Sequence, residues 1–150
     1  MDRAGPDNKL LRLLDELAGD NIRMGIVTFV RKPRILHRLE VWKLKQYFQS
    51  VVTPDEVPEF KPSPQPFLKA MKDLEVTPDR CFVVGDEPVD MMGGRKAGAT
   101  TVGVPVGFYS REELEDAGAD HILSDIDLLP TIVHSRSLST KETKPFDGRN

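Results

Sequence analysis

The fold is decided by the stretch Val83-Val84-Gly85-Asp86-Glu87-Pro88-Val89-Asp90. An apolar run of strand length ends at Gly85, and Val89 opens a helical pattern right after it. Asp86 therefore stands where a strand ends, and Asp90 stands four residues later at the start of the next helix. Two such carboxylates suit a hard cation that keeps several waters, such as Mg²⁺. The alternative interpretation is that both aspartates only cap the helix and favour its dipole.

On either side of this stretch, the chain alternates between stripes of helical spacing and apolar runs of strand length. A helical stripe over residues 8–18 precedes an apolar run at 24–30, and Pro33 can open a second helix. Further strands are predicted at 50–53, 81–85, 100–104 and 121–123, with helices between them. This alternation indicates an α/β fold with a parallel sheet that is covered on both faces. Ligands of such sheets bind beyond the carboxyl ends of the strands.

Two other segments end near that same edge. Gly25-Ile26-Val27-Thr28 is a buried strand that ends in a hydroxyl, and Phe60-Lys61-Pro62-Ser63-Pro64 is a loop with one lysine. Taken alone, a terminal threonine is ordinary and a loop lysine is usually just solvated. Their order and spacing relative to Asp86 make them informative.

Together, the three segments resemble the second, third and fourth motifs of the haloacid dehalogenase-like (HAD-like) superfamily, closest to its phosphoglycolate phosphatase-like members. The resemblance covers roughly residues 6–133 and includes the closing Ala97-Gly98 and the Val-Gly-Val strand after it. It implies a Rossmann-like three-layer α/β/α core. It also implies a Mg²⁺-dependent phosphatase that acts on a small phosphorylated metabolite.

The resemblance assigns a role to four side chains. Asp86 and Asp90 would hold Mg²⁺, Lys61 would offset the negative charge of nucleophile and phosphate, and Thr28 would hydrogen-bond a phosphoryl oxygen. Glu87 departs from the family, which commonly has a small hydroxyl residue there. An additional acid at this point either repels an anionic substrate or points outward.

The family's nucleophile has no counterpart at the matching place. In the family, an aspartate of an Asp-x-Asp-x-Thr (or Val) motif attacks the phosphate, and the second aspartate serves as general acid and base. We therefore expect a core that lacks the first central strand and the cap domain, and is inactive or incomplete as an enzyme by itself. Asp125-Ile126-Asp127 is an Asp-x-Asp, but leucines follow it where the family has a small residue and then Thr or Val. The family's ordinary last strand and helix explain it better than a permuted nucleophile.

The expected loss of a central strand leaves two strands with unpaired edges. Either these strands pair directly, or another polypeptide fills the slot, or the isolated chain is unstable. A homo-oligomer or a complementing chain is therefore an expected partner. We assign residues 1–133 to the partial core domain and residues 134–150 to a disordered polar tail, because that segment is rich in serine, threonine and lysine.

Composition narrows the remaining classes. The net charge of −3 argues against nucleic-acid binding, and no apolar stretch has the length of a membrane span. Cys81 is the only cysteine, which favours a cytoplasmic location. The main alternative to an enzyme is a non-catalytic HAD-like domain that binds phosphate or a partner. A dinucleotide-binding domain is weaker, because no Gly-x-Gly-x-x-Gly follows the first strand.

Overall fold

The computed structural model describes residues 5–140 and 146–149, with the backbone alone from residue 136 onward. Its helices are α1 (Asn8–Gly19), α2 (Lys32–Val41), α3 (Gln65–Leu74), α4 (Pro88–Lys96), α5 (Arg111–Asp116) and α6 (Leu129–Thr140). Its strands are β1 (Met24–Val27), β2 (Ser50–Val52), β3 (Phe82–Gly85), β4 (Thr100–Gly103), β5 (His121–Ile122) and β6 (Phe146–Arg149).

The strands form one sheet in the order β2-β1-β6-β3-β4-β5, and neighbouring strands are parallel throughout. Because all the strands run the same way, their carboxyl ends lie along a single edge. The predicted α/β class with a parallel sheet is therefore confirmed.

Two apolar cores lie on opposite faces of the sheet and make three layers. The larger core packs α1, α2 and α6 against β1, β3 and β4, and its most buried members include Leu17, Met24, Phe82 and Val133. The second core packs α3 and the end of α4 on the other face, around Phe67. A fully buried side chain of this size contributes about 1.5–3 kcal/mol relative to its exposed state.

Local signals explain most of the helix ends. Asp7 caps α1, because its side chain accepts a hydrogen bond of 2.9 Å from the Leu10 N–H. Pro33 stands in the first turn of α2, as its fixed φ predicts. That helix ends at Val41, earlier than its apolar stripe suggests, and Lys43 then adopts a left-handed φ of 58°. None of the helices in the described part of the chain combines the length and apolarity that a bilayer crossing requires.

The structure corrects the expectation of a disordered tail over residues 134–150. Helix α6 continues to Thr140, and β6 runs between β1 and β3, with Asp147 opposite Gly25 on one side and Val83 on the other. Residues 141–145 lie outside the described part. Amino-acid composition indicates how much apolar surface a segment can bury. It does not reveal the backbone hydrogen bonds that an inner strand makes on both edges. The inner edges of β1 and β3 are thus paired by β6 of the same chain, an arrangement that was not among the three alternatives we considered.

An ion pair fastens α2 to the strand beside it. The Lys32 ammonium binds the Glu56 carboxylate and also donates a hydrogen bond of 2.6 Å to the carbonyl oxygen of Val51. Burial alone raises the pKa of Glu56, but the hydrogen bonds from Lys32 and Thr53 outweigh it, so this pKa lies below its ordinary value. The charged form of Glu56 is therefore stabilised in the folded protein.

We predict that Asp147→Pro destabilises the protein more than Asp147→Ala. Proline removes the N–H of an inner strand, whereas alanine keeps it. A lost inner hydrogen bond costs about 1–3 kcal/mol, and thermal unfolding followed by circular dichroism measures the difference. Equal midpoints for the two variants would show that residue 147 is not paired inside the sheet.

We predict that Glu56→Gln is less stable than the unmodified protein at pH 7. Because the folded pKa of Glu56 is lowered, its contribution is present above the ordinary value of 4.5 and disappears as the pH falls through the folded value. Urea unfolding between pH 7 and pH 3 should show the two curves converging. The variant Glu59→Gln, on the exposed part of the same loop, controls for the loss of one negative charge. A gap of constant size would contradict the prediction.

Candidate active site

The carboxyl edge of the sheet gathers the residues that the sequence singled out. Thr28 follows β1, Asp86 follows β3, and Lys61 lies in the loop between β2 and α3. Asp90 belongs to the first turn of α4, the helix that follows β3. The parallel sheet brings these segments together although they are far apart in the chain.

Lys61 and Asp90 form a buried ion pair at this edge. The Lys61 Nζ atom lies 2.8 Å from Asp90 Oδ1, and each side chain is 1% exposed. The same ammonium donates a second hydrogen bond of 3.0 Å to the carbonyl oxygen of Val27, at the end of β1. One lysine thus joins β1 to α4. A buried charge requires such partners, because its removal from water costs several kcal/mol.

The start of α4 holds the Asp90 carboxylate in place. Asp90 Oδ2 accepts a hydrogen bond of 3.3 Å from the backbone N–H of Glu87, the residue that caps the helix. Gly85 makes this approach feasible, because a Cβ at that position would lie 2.4 Å from Asp90 Oδ2. The Glu87 backbone therefore orients the second aspartate, whatever charge its side chain adds.

Asp86 lies half-buried beside the loop that follows β4. A Cβ on Gly107 would come within 2.8 Å of Asp86 Oδ2, so a larger residue there would displace the Asp86 carboxylate. No third His, Cys, Asp or Glu among the described residues completes a cluster of three possible ligands with Asp86 and Asp90. The pair of carboxylates suits Mg²⁺, which keeps several waters and binds through one or two carboxylates.

Thr28 is fully buried and directly follows Val27, whose carbonyl oxygen accepts the hydrogen bond from Lys61. Its backbone N–H donates to the carbonyl oxygen of Val52, and its Oγ1 accepts a hydrogen bond of 3.1 Å from the Val30 N–H. That second bond uses the hydroxyl as an acceptor, and a hydroxyl can donate one hydrogen bond as well. The roles of Thr28, Lys61, Asp86 and Asp90 in binding stay predictions.

Two aromatic rings cover the lysine, a feature that sequence reasoning missed. The Lys61 Nζ atom lies 5.1 Å from the ring centroid of Phe29 and 5.6 Å from that of Phe60, and the two rings meet edge to face. Such contacts favour a cation and shield it from water. The sequence offered one sign of this contact, because Phe29 follows Thr28 and Phe60 precedes Lys61. Nothing in the chain pattern distinguished these rings from ordinary core residues.

Asp125 and Asp127 have structural roles here. The side chain of Asp125 accepts a hydrogen bond of 3.0 Å from the Asp127 N–H and lies 2.9 Å from the Lys9 Nζ atom. The bond from the Asp127 N–H, and then the one from Lys9, lower the pKa of Asp125. These contacts favour a capping role for the Asp-x-Asp segment over a permuted nucleophile.

A family model described as haloacid dehalogenase-like hydrolase matches residues 5–104. The chain belongs to this family. It is 37% identical over 120 residues to a pyrophosphatase PpaX of Bacillus mycoides, a match that spans 79% of this chain and 56% of that protein. The chain thus spans about half the length of the curated relatives it matches.

Solved structures of the family share the fold. A hydrolase from Pseudomonas syringae is 35% identical with a TM-score of 0.74, and the match covers 84% of this chain and 58% of that one. A phosphonoacetaldehyde hydrolase-like protein from Oleispira antarctica, at 24% identity, matches with a TM-score of 0.77 over 91% of this chain and 59% of its own. The second likeness concerns the fold alone. The predicted HAD-like core is therefore confirmed.

We predict that Lys61→Met destabilises the protein by about 3–5 kcal/mol, because it leaves the Asp90 carboxylate buried without its partner. Lys69→Met, which removes an exposed pair with Asp73, is the matched control and should cost at most about 1 kcal/mol. Chemical denaturation measures both free energies of unfolding. Adding Asp90→Asn to Lys61→Met should recover part of the loss. Equal costs for the two lysines would refute the importance of the buried pair.

Proposed function

We propose that the protein is a Mg²⁺-dependent phosphatase of the haloacid dehalogenase type that acts on a small organophosphate. The observation that carries this proposal is the buried Lys61–Asp90 pair, anchored on Val27 at the carboxyl edge of the sheet. A lysine held at such an edge and shielded from water can stabilise the charge of a phosphoryl group. Membership of the family supports the same chemistry.

In this proposal, Asp86 and Asp90 hold the metal. Asp90 binds Lys61 through Oδ1 and the Glu87 N–H through Oδ2, so it would reach the ion through its remaining lone pairs. The ion would supply Lewis-acid stabilisation of the phosphoryl oxygens. The hydroxyl of Thr28 would donate a hydrogen bond to one of those oxygens.

We further propose that the 150-residue chain by itself binds Mg²⁺ and phosphate but does not turn over substrate. Asp125, the first carboxylate of the Asp-x-Asp segment, is engaged by Lys9 and by the Asp127 N–H. Covalent phosphoryl transfer needs a free carboxylate in line with the phosphate. The second candidate function is a non-catalytic phosphate-binding domain. Such a domain would also bind phosphate, but the full protein would not hydrolyse a phosphate ester.

The names of the relatives suggest which substrates to test. Several are pyrophosphatases from Bacillus species, so a phosphoanhydride belongs in the assay beside a phosphomonoester. Both substrates present a terminal phosphoryl group with an adjacent leaving group. The Lys61 ammonium would meet the same charge in either case.

The test measures Mg²⁺ binding by calorimetry together with hydrolysis of an aryl phosphate and of pyrophosphate, each with Mg²⁺ and with EDTA. We expect binding that Asp86→Asn weakens at least tenfold, with no turnover. Asp116→Asn, an exposed carboxylate of α5, is the matched control and should bind like the unmodified protein. Turnover that requires Mg²⁺ and disappears in Asp86→Asn would mean that a nucleophile lies within these residues. It would overturn the proposal that the 150-residue chain by itself does not turn over substrate. A folded chain that binds neither Mg²⁺ nor phosphate would overturn the proposal of a Mg²⁺-dependent phosphatase site.

A further inference from the structure

A second group of possible metal ligands lies away from the carboxyl edge, between α1 and α6. It consists of Glu16 and Asp20 at the end of α1 and His134 on α6. One ligand atom from each of the three residues lies within 4.8 Å of the other two. The His134 Nε2 atom is 2.5 Å from Asp20 Oδ2. Three ligands from two separate helices thus converge on one point.

The spacing on α1 explains half of this arrangement. Glu16 and Asp20 are four residues apart, and residues at this spacing are neighbours on one helix face. Asp20 is also the residue that ends the helix, where the last carbonyl groups favour a positive charge. The backbone N–H of Asp20 bonds to the carbonyl oxygens of Glu16 and Leu17, which holds its Cα beside the last turn.

The third ligand, His134, comes from α6. Leu129 and Val133 of α6 are buried, which fixes the helix against the sheet layer that α1 also covers. His134 follows Val133 and therefore faces the end of α1 at the margin of that layer. The His134 side chain is 41% exposed and that of Asp20 44%, so the cluster lies at the surface, where an ion can reach it.

We propose that Glu16, Asp20 and His134 form a site for a divalent transition metal ion such as Zn²⁺. Zinc binds imidazole nitrogen at about 2.0–2.1 Å and carboxylate oxygen at about 2.0–2.2 Å, so two ligands of one ion lie at most roughly 4.3 Å apart. In a tetrahedral zinc site, neighbouring ligand atoms lie roughly 3.3–3.5 Å apart, so the 2.5 Å contact between His134 and Asp20 would have to open to admit the ion. Water would complete the coordination.

The ligand chemistry separates this site from the one proposed at the carboxyl edge. Imidazole with carboxylates suits zinc, copper or nickel, whereas Mg²⁺ prefers oxygen donors alone. The ion would replace the proton that the His134–Asp20 contact shares, and neutral imidazole and carboxylate would both be ligands. Its effect would be to hold α6, the helix that leads toward β6, against α1.

The experiment titrates Zn²⁺ into the complete 150-residue chain by calorimetry, after removal of metals and in the presence of excess Mg²⁺. Co²⁺ absorption in the visible range reports the coordination independently. We expect one ion per chain and a rise in the thermal midpoint with Zn²⁺. A rise of equal size with Mg²⁺ alone would count against a nitrogen ligand.

Two variants separate a metal site from a surface ion pair. Glu16→Gln leaves the His134–Asp20 contact intact, and it should weaken Zn²⁺ binding at least tenfold. His134→Ala should weaken it further, whereas His37→Ala, an exposed histidine of α2, is the control and should not change it. If Glu16→Gln and His134→Ala bind Zn²⁺ as tightly as the unmodified chain, the three residues form only an ion pair and the proposal is wrong.

Discussion

The geometry of the candidate site depends on the buried ion pair between Lys61 and Asp90. The lysine belongs to a loop and the aspartate to α4, and the same ammonium also binds the last carbonyl oxygen of β1. Three segments with little sequence proximity are thereby fixed to one another. With each side chain only 1% exposed, neither charge can turn to water as a substitute partner. A substitution that removes either side chain therefore also weakens the connection between the loop, α4 and β1.

The neighbours of this pair are the residues that such a buried charge requires. Gly85 leaves room for the Asp90 carboxylate, and the Glu87 N–H satisfies one of its oxygens. The rings of Phe29 and Phe60 cover the ammonium. A lysine whose hydrogen bonds are made and whose surroundings exclude water interacts more strongly with an anion than a solvated lysine does. This is the physical basis for assigning it a role toward phosphate.

The sequence predicted the strand that ends at Gly85 and the helix that follows it, because proline and apolar runs act locally. It also predicted that Thr28 and Asp86 follow parallel strands and so lie at one edge, whereas the assignment of Lys61 to the site came from the resemblance to the family. It failed for β6 and for the meeting of Glu16 with His134. Both depend on the packing of segments more than 60 residues apart in the chain, and composition carries no trace of that packing. The aromatic cover of Lys61 was missed for another reason: adjacency in the chain does not show that a ring packs over the ammonium.

The ion pair between Lys61 and Asp90 depends on the position of β6 in the sheet. Neighbouring strands lie about 4.8 Å apart, so one strand between β1 and β3 sets these strands roughly 10 Å apart. Lys61 and Asp90 bridge that gap from the end of β1 to the helix after β3, and Arg149 of β6 pairs with Val27, the residue whose carbonyl oxygen the lysine binds. If β6 left and β1 closed on β3, the gap would halve and the pair could not keep its geometry. The C-terminal strand, although far from Asp86 in the chain, therefore sets the width of the candidate site.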